Sequence, residues 1–232
     1  AFSFPDNYEI GISNLGIRIL YGVLNNEENV WCERAYAPWP DMEEKMREYG
    51  IPLYAHESGD PLSDFDIVGF TLQYELCYTN VLNMLELGGI PLLASERGEN
   101  DPIIIGGGPC AYNAEPIADF FDVLDIGEGE EMLPRFTRMY AKMKREGASR
   151  AEILRATSHL DGFYVPALYE VEYGADGTIS SFEPKYDDIP RTVQKQIIAD
   201  LDSVYFPDKF VMPYIETVHD RIVPEVYRGC IR

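Results

Sequence analysis

The stretch Pro102-Ile103-Ile104-Ile105-Gly106-Gly107-Gly108-Pro109 contains a short apolar run that ends in three glycines. A run of this kind, bounded by turn residues, is typical of a strand that is buried on both faces and ends in a tight loop. Four other segments have the same apolar character, and they lie at residues 1–5, 30–37, 66–72 and 123–126. We therefore expect five short buried strands, with the quoted strand at 102–105.

Helical patterns separate these strands. Apolar residues recur at three- and four-residue steps, and capping patterns mark several helix starts. The predicted helices lie at residues 12–24, 41–49, 79–87, 116–121 and from about 130 to 143. Strands that alternate with helices predict an α/β fold with a parallel sheet covered on both faces. Five such units best fit a flavodoxin-like, five-stranded parallel sheet in the order 2-1-3-4-5.

The pattern changes after about residue 147. Ser149 and Glu152 form a capping box that starts a helix, and residues 163–182 alternate like an antiparallel hairpin with a turn at 175–177. Residues 183–213 lack periodicity, which is typical of an extended linker, and residues 222–227 resemble a last strand. We therefore predict an α/β domain at 1–148, a helix-and-hairpin extension at 149–200, and at 201–232 a linker with the start of a further domain.

The chain is strongly acidic: 40 Asp and Glu against 19 Lys and Arg give a formal net charge of −21 over 232 residues. A field of this sign repels phosphate backbones and anionic lipid, so we expect no direct nucleic-acid or membrane-surface binding. The longest stretch without a charge, residues 102–114, is shorter than the ~20 residues of a membrane helix. Four dispersed cysteines and the absence of a visible signal peptide indicate a cytoplasmic protein without disulfides.

Four loops follow predicted strands and should open at one edge of the sheet, at residues 6–11, 71–74, 106–109 and 127–130. Glycine in these loops permits close approach of the backbone, and the N–H groups of a helix start can hold an anion without a lysine. The alternative is that the glycines only form tight turns. Glu128 either favours the positive end of the following helix or contacts a ligand hydroxyl.

Three of these loops resemble those of cobalamin-binding domains. Asp6-Asn7-Tyr8-Glu9-Ile10-Gly11 resembles their D-x-H-x-x-G loop, with Tyr8 in the position of the cobalt-ligating His. Thr71-Leu72 lies where those domains carry S-x-L, and Gly107-Gly108, preceded by Gly106, where they carry Gly-Gly. The resemblance implies that the first loop lines the lower face of a cobalamin through Asp6, Tyr8 and Gly11. It further implies that the nucleotide tail is accommodated by Thr71, Leu72, Gly106, Gly107 and Gly108.

Tyr8 departs from that pattern. A neutral imidazole is a good cobalt ligand and a neighbouring carboxylate orients it, whereas a phenol is a poor donor at neutral pH. Two alternatives follow for this chain. Either cobalamin binds with its lower face unligated, or the domain has lost the cofactor and serves as a scaffold.

A second resemblance covers nearly the whole chain. Gly107-Gly108-Pro109, Glu115-Pro116, Asp122 and residues 127–130 resemble the cobalamin-type N-terminal domains of radical SAM enzymes. Arg228-Gly229-Cys230 resembles the opening of the C-x-x-x-C-x-x-C cluster motif, cut after its first Cys. With residues 4–6, 37–41 and 214–221, the chain is similar to the N-terminal part of an uncharacterised family of such proteins.

This resemblance implies an intact protein that binds a 4Fe-4S cluster and S-adenosylmethionine at a catalytic barrel, with Cys230 as one cluster ligand. The chain would then contain an N-terminal cofactor-binding or scaffold domain, and its expected partner is its own barrel. With one of three cluster ligands, the chain alone is expected to hold no such cluster and to turn over no substrate.

Other kinds of binding site would need different residues at these positions. Cys32, Cys77 and Cys110 equal in number the cysteines that hold a second cluster in methylthiotransferase-type radical SAM proteins, but their flanking residues differ, so buried core cysteines are the preferred interpretation. Residues 6–11 contain no Ser or Thr, which the phosphate loop of a flavodoxin would need. Thr71 stands where a response regulator would carry its acidic phosphoacceptor, and no G-x-G-x-x-G of a dinucleotide site follows the first strand.

Overall fold

The computed structural model describes residues 1–209, 211–213, 215–218 and 223–229. Its main sheet has six strands in the order β2-β1-β3-β4-β5-β6. The first five are parallel, and β6 pairs antiparallel with β5. Their bounds are β1 (Phe2–Phe4), β2 (Arg34–Tyr36), β3 (Ile67–Thr71), β4 (Ile103–Gly107), β5 (Val123–Asp125) and β6 (Phe163–Tyr164). Because β1–β5 are parallel, their carboxyl ends meet at one edge, which is where α/β sheets bind ligands.

Helices cover both faces of this sheet. They are α1 (Tyr8–Gly11), α2 (Leu15–Asn25), α3 (Pro40–Tyr49), α4 (Tyr78–Leu87), α5 (Gly129–Arg145) and α6 (Arg150–Thr157). Helices α3 and α4 pack with Val68 and Ile104 in one core cluster, and α2, α5 and α6 pack with Ile105 and Val123 in the other. Among the described residues, no helix combines the length and apolar character that crossing a bilayer requires.

Local sequence signals start and stop these helices as expected. The capping box at the start of α6 is present: the Ser149 side chain accepts from the Glu152 N–H, and the Glu152 carboxylate accepts from the Ser149 N–H. Asn14 caps α2 by accepting from the Ile17 N–H. Helix α3 ends at Gly50, whose φ of 65° is a left-handed conformation that glycine adopts without strain.

The predicted strand order 2-1-3-4-5 is confirmed for β1–β5, and the architecture is compatible with a flavodoxin-like fold. The prediction of a five-stranded, purely parallel sheet is wrong. Phe163 and Tyr164 form β6, opposite Asp125 and Leu124 of β5, instead of joining the first arm of the hairpin. The alternating pattern predicted that residues 163–182 are extended, but alternation does not say which strand an extended segment pairs with.

The hairpin itself is β7 (Tyr169–Tyr173) and β8 (Ile179–Pro184), which form a separate two-stranded antiparallel sheet. Residues 189–198, which we call the strap, run from the buried Ile189 to the chain just beyond β5. There the Gln196 N–H donates to the Ile126 carbonyl at 3.1 Å, and the Glu128 N–H donates to the Gln196 carbonyl at 3.2 Å. Part of the predicted linker is therefore held against the edge where the parallel strands end.

Two further predictions concern the end of the chain. Within residues 223–227, which belong to the described part, no strand is assigned, and Ile222 lies outside the described residues. The predicted last strand at 222–227 is therefore absent from its described portion. The start of a further domain within residues 201–232 stays a prediction.

A buried charge cluster anchors β5 at the opposite, amino-terminal edge. Asp122 accepts from Arg97 Nη1 at 3.0 Å, and its Oδ2 lies 2.8 Å from Arg150 Nη2. The same carboxylate accepts from the Ile104 N–H at 2.8 Å. The Arg97 side chain is 0% exposed and that of Asp122 is 2% exposed. Buried charges are tolerated when they are paired and hydrogen-bonded, so this cluster links α6, β4 and β5 into one unit.

We expect Arg97→Ala to lower the free energy of unfolding by about 3–5 kcal/mol, because it leaves the Asp122 carboxylate buried with one partner fewer. Urea denaturation followed by circular dichroism measures this loss. Lys45→Ala is the matched control, because the Lys45–Glu48 pair is half exposed and such pairs contribute about 0–1 kcal/mol. Equal losses in the two variants would contradict the structural role of the cluster.

Candidate functional site

The parallel register places three residues in one row where β3, β4 and β5 end. Thr71 lies beside Gly107, and Gly107 lies beside Asp125. In the preceding row on the same face, Gly69 lies beside Ile105, and Ile105 beside Val123. Since alternate residues of a strand point to opposite faces, both rows face the layer of α2 and α5.

A cavity of about 660 Å³ lies against these rows. The sheet contributes Gly69, Thr71, Gly107, Gly108 and Asp125 to its lining, and the facing helices contribute Gly16, Leu20, Gly129, Leu133 and Phe136. This volume is within the range of cofactor and ligand sites, which is about 300–1,000 Å³. The lining is mainly apolar with a few polar groups, which is also typical of such sites.

Glycines on the sheet leave this space open. A Cβ built on Gly107 meets only Asp125, at 3.4 Å, which is ordinary van der Waals contact. A Cβ on Gly69 meets Phe2 at 3.3 Å and Ile105 at 3.4 Å. A Cβ would therefore be accepted at Gly107 without displacement, whereas at Gly69 the Phe2 ring would have to shift slightly. Cores are normally packed to the density of organic crystals, so an unfilled volume of this size points to a ligand.

Asp125 brings the least satisfied polar group to the cavity. The residue is 5% exposed, and its Oδ1 has no hydrogen-bond partner among the described residues. Burial, and secondarily the negative charge of Glu130, raises the pKa of Asp125 from 3.8 to about 8. At neutral pH the carboxyl group is therefore mainly protonated, and it can both donate and accept a hydrogen bond.

The far end of the cavity reaches the opposite edge of the sheet. Asp66, Tyr140 and Lys144 line it there. The Tyr140 hydroxyl donates to Asp66 Oδ1 at 3.3 Å, and Lys144 Nζ lies 3.8 Å from the same oxygen. Asp66 is therefore paired with Tyr140 and Lys144 at this end, whereas no described residue partners Asp125 Oδ1 at the carboxyl-end row.

The rim next to Thr71 includes the first predicted loop. The Gln73 side-chain amide donates to the Thr71 hydroxyl at 2.5 Å. Asp6 lies beside both residues in a shallow depression, and its Oδ2 accepts from the Tyr74 hydroxyl at 2.8 Å. The structure therefore brings Asp6 close to Thr71, although Asp6 itself does not line the large cavity.

Tyr8 belongs to an aromatic cluster above β2. Its ring stacks on His56, with centroids 5.3 Å apart, and meets Tyr36 edge to face at 5.1 Å. Desolvation lowers the pKa of His56, which favours the neutral imidazole. A Cβ on Gly11 would lie 2.4 Å from the Tyr36 ring, so Gly11 permits the close approach of α1 to this cluster. Neither Tyr8 nor Gly11 lines the cavity.

Two predicted residues face the other layer. The Leu72 side chain is fully buried in the core of α3 and α4, and only its backbone reaches the site, donating to the Gly107 carbonyl at 2.6 Å. A Cβ on Gly106 would lie 2.7 Å from the Phe121 ring, so this glycine serves packing on the same side. Gly107 and Gly108 thus line the cavity, whereas Gly106 faces away from it.

Glu128 is held by the chain itself. Its Oε2 accepts from the Ile198 N–H at the end of the strap, and its Oε1 lies 3.7 Å from Arg228 Nη1. Arg228 also pairs with Glu130 and with Glu225. The carboxylate of Glu128 therefore links the segment that follows β5 to the strap and to Arg228.

The cysteines of the described residues do not assemble a cluster site. Cys32 packs in the core of α2 and α5, whereas Cys77 and Cys110 pack on the opposite side of the sheet. Burial raises the pKa of all three thiols, that of Cys32 to about 11. No three His, Cys, Asp or Glu side chains converge on a metal position in the described part of the chain. Cys230, the predicted cluster ligand, lies outside the described residues.

The sequence predictions missed Asp125, Gln73 and Gly69 as site residues. Asp125 carried a usable signal, because a carboxylate inside the apolar run Val123-Leu124-Asp125-Ile126 is unusual for a strand buried on both faces. Gly69 lies within a predicted strand, where glycine often marks close approach by another group. Gln73 carried no such signal, since its position at the rim depends on the register of β3.

Gly107 and Gly108 form a matched pair for a stability test. Gly108 has a φ of 109°, and a Cβ there would lie 2.9 Å from the Leu72 carbonyl oxygen. We expect Gly108→Ala to lower the free energy of unfolding by about 1–3 kcal/mol. Gly107→Ala should leave it unchanged or slightly raised, because its Cβ makes ordinary van der Waals contact with Asp125 and no closer contact. Urea denaturation checks both, and a loss in Gly107→Ala as large as in Gly108→Ala would show that no cavity lies there.

The buried carboxyl group also predicts a pH dependence of stability. The folded protein keeps a proton on Asp125 up to about pH 8, whereas the unfolded chain releases it near 3.8. Its contribution is therefore fully present below pH 3.8 and is lost as pH rises through about 8. In thermal unfolding at about pH 5 and about pH 8.5, Asp125→Asn should remove this decline. The exposed Asp161→Asn is the control and should retain it; an unchanged decline in Asp125→Asn would assign it to other groups.

Comparison with known proteins adds the family. The family model described as radical SAM proteins, N-terminal, matches residues 16–166, which is more than half of the chain. An uncharacterized protein of Methanocaldococcus jannaschii is 30% identical over 133 residues, which cover 56% of this chain and 24% of that protein. No solved structure matches the chain. The chain thus spans about a quarter of this longer relative, and it belongs to the family of radical SAM N-terminal domains.

Proposed function

We propose that this chain provides the N-terminal cofactor-binding domain of a radical SAM iron–sulfur enzyme, and that its cavity receives the nucleotide end of a cobalamin. The observation that carries the proposal is the 660 Å³ cavity beside the row formed by Thr71, Gly107 and Asp125. Family membership supports the radical SAM context. The cavity supports the binding role, because its depth, apolar walls and few polar groups suit a flat heterocycle.

The residues of the cobalamin resemblance divide into two groups around this cavity. Thr71, Gly107 and Gly108 line it and would hold the tail. Asp6 lies at the neighbouring carboxyl end of β1, beside Thr71. It would lie under the corrin, where its carboxylate already accepts hydrogen bonds from Tyr74 and from the Asn7 N–H. When bound, cobalamin supplies a cobalt centre for alkyl or methyl transfer.

Tyr8 sets a limit on the binding mode. Its ring packs against both His56 and Tyr36, and a phenol is a poor ligand for cobalt compared with imidazole. The proposal is therefore a cobalamin whose lower face receives no side-chain ligand from the first loop. This predicts a bound spectrum of the base-off type without histidine coordination.

The catalytic part of the proposal lies beyond this chain. The whole enzyme would bind a 4Fe-4S cluster and S-adenosylmethionine in a barrel, with Cys230 as one cluster ligand and the barrel as the partner of this domain. Thiolate ligands are required for such a cluster, and the three thiols of the described residues are buried on two sides of the sheet. The domain by itself would bind the cofactor and perform no turnover.

A second candidate is a structural domain that docks on the barrel without a cofactor. Exposed apolar side chains at the carboxyl-end edge favour this alternative. They follow β1, β2, β3 and β4 in turn, and they are Ile10, Trp39, Tyr74, Leu76 and Tyr112, of which Leu76 is 84% exposed. Binding of a cofactor separates the two candidates, since only the first requires the cavity to accept one.

Hydroxocobalamin titration followed by visible absorbance tests the first candidate. We expect saturable binding to the unmodified chain and at least about a tenfold loss of affinity in Gly107→Val, whose branched side chain would occupy the cavity. Gly98→Val is the control, because a Cβ there meets only Asp101, at 3.8 Å, in an exposed turn.

Equal binding to all three proteins would place the cofactor elsewhere on the chain. No spectral change and no binding at high micromolar hydroxocobalamin would reject the cofactor-binding role and leave the docking domain. Thermal unfolding of each variant, measured alongside, shows whether a loss of binding comes from a loss of fold.

A further inference from the structure

The geometry points to Asp125 as a ligand-binding residue: we infer that its carboxylic acid donates a hydrogen bond to an acceptor nitrogen of a flat, uncharged heteroaromatic ring in the cavity. The inference rests on the proposed function in taking the cavity as a ligand site. It adds a residue that the cobalamin resemblance does not supply, and it states what that residue recognises in the base of the tail.

The position of Asp125 supports this role. Asp125 ends β5, lies beside Gly107, and points to the same face as Val123, where the cavity lies. With no side chain on Gly107, nothing from β4 covers the carboxyl group. Its Oδ1 is buried, and no described residue provides it with a hydrogen-bond partner.

An unsatisfied buried carboxyl group is costly to the fold. Leaving such a group without a partner costs about 1–3 kcal/mol, and buried polar groups without partners are correspondingly rare. The neighbouring Asp122 shows how the same chain satisfies a buried carboxylate, with Arg97, Arg150 and the Ile104 N–H around it. Asp125 lacks these partners: its Oδ1 is enclosed and has none among the described residues. Its Oδ2 lies 3.4 Å from the position of a Gly107 Cβ, beside the cavity, so a ligand there would give the carboxyl group a partner at Oδ2.

The protonation state of Asp125 determines which ligand group its carboxyl can bond. Few charges face this carboxyl group: β4 contributes Gly107 and β6 contributes Phe163 as its neighbours, and α5 contributes Glu130, which is paired with Arg228. With burial and a negative neighbour, the raised pKa keeps the group protonated at neutral pH. A protonated carboxylic acid donates its O–H, so an acceptor nitrogen is the complementary group.

The walls of the cavity favour a ligand of a particular shape. Gly69 and Gly107 on the sheet face Gly16, Leu20 and Phe136 on the helices. Gly69 and Gly107 leave two positions of this face without side chains, beside Ile105 and Thr71, and the named residues on the helices are small or apolar. A flat ring that slides between the sheet and the helices satisfies these walls and reaches Asp125 with its edge.

Two ring probes isolate the hydrogen bond. Both are used as N-methyl derivatives, so that neither ring offers an N–H donor: N-methylbenzimidazole carries an acceptor nitrogen, whereas N-methylindole has the same shape without it, and benzimidazole and indole below mean these derivatives. Isothermal titration or NMR shift mapping of the full chain should show that benzimidazole binds roughly fivefold to tenfold more tightly than indole. Asp125→Val should lower the affinity for benzimidazole to that for indole, and its thermal unfolding temperature should not fall, because the unsatisfied group is gone.

Asp125→Asn provides a second readout that does not depend on the valine variant. The amide still donates a hydrogen bond but has no titrating proton, so benzimidazole affinity should persist. Between about pH 6.5 and about pH 9, affinity should fall in the unmodified chain and in the exposed control Asp161→Asn, but not in Asp125→Asn. A structural role for Asp125 would not move this profile.

Several outcomes would overturn the inference. Equal affinity for the two rings, or no binding of both rings, would do so. Benzimidazole affinity that Asp125→Val leaves unchanged would also do so. So would tighter binding of a cationic probe such as benzylamine, which would require the ionised carboxylate. Hydroxocobalamin binding that Asp125→Val does not weaken would overturn this inference and leave the proposed function intact. Discrimination of the rings by Asp125 without hydroxocobalamin binding would support the inference and reject cobalamin as the ligand.

Discussion

Two positions without side chains, Gly69 and Gly107, determine how the layers of this protein pack. On the side of α3 and α4, Val68, Phe70 and Ile104 are buried to 1% exposure or less, and the sheet and helices meet in a continuous core. On the side of α2 and α5, the corresponding rows carry glycine, and the helices cannot reach the backbone with the side chains they have. A cavity of about 660 Å³ remains. The same sheet therefore has one face built for packing and one face that is open for a ligand.

The glycines of the strand ends do not share one role. Gly11 and Gly106 are close-packed against the aromatic rings of Tyr36 and Phe121. Gly127 lies so close to Gln196 that a Cβ would be 2.5 Å from its carbonyl oxygen, which lets the strap pair with the chain beyond β5. Gly107, Gly108, Gly127 and Gly129 line the cavity, whereas Gly11 and Gly106 do not. A glycine-rich edge is thus partly a packing device and partly a binding surface, and both readings of these loops hold at different residues.

The distribution of charge follows the same division. Although acids outnumber bases by 40 to 19, the most buried guanidinium groups, Arg97 and Arg150, are used inside the fold to satisfy Asp122. Arg228 is similarly used to hold Glu128 and Glu130 near the strap. Asp125 is left as a protonated acid beside the cavity. The polarity of the site therefore comes from neutral groups, which is consistent with a ligand recognised by shape and hydrogen bonding.

Much of the architecture follows from local sequence. Short apolar runs that alternate with helical periodicity are sufficient for a parallel sheet in the order 2-1-3-4-5, and the Ser149–Glu152 capping box marks the start of α6 correctly, because these signals act over a few residues. The pairing of β6 with β5 depends on contacts between segments about 40 residues apart, which alternation does not encode.

The candidate site likewise has features that follow from local sequence and features that depend on tertiary packing. Local sequence was enough to predict that Thr71 and the glycines after β4 follow strands whose carboxyl ends meet at one edge. It did not predict that Gly106 faces the core while Gly107 faces the cavity, that Glu128 is bonded by the strap and Arg228, or that Asp125 Oδ1 has no partner among the described residues. The physical reason is that the face and the hydrogen-bond partners of a residue are set by register and by packing between layers, and both are properties of the whole sheet.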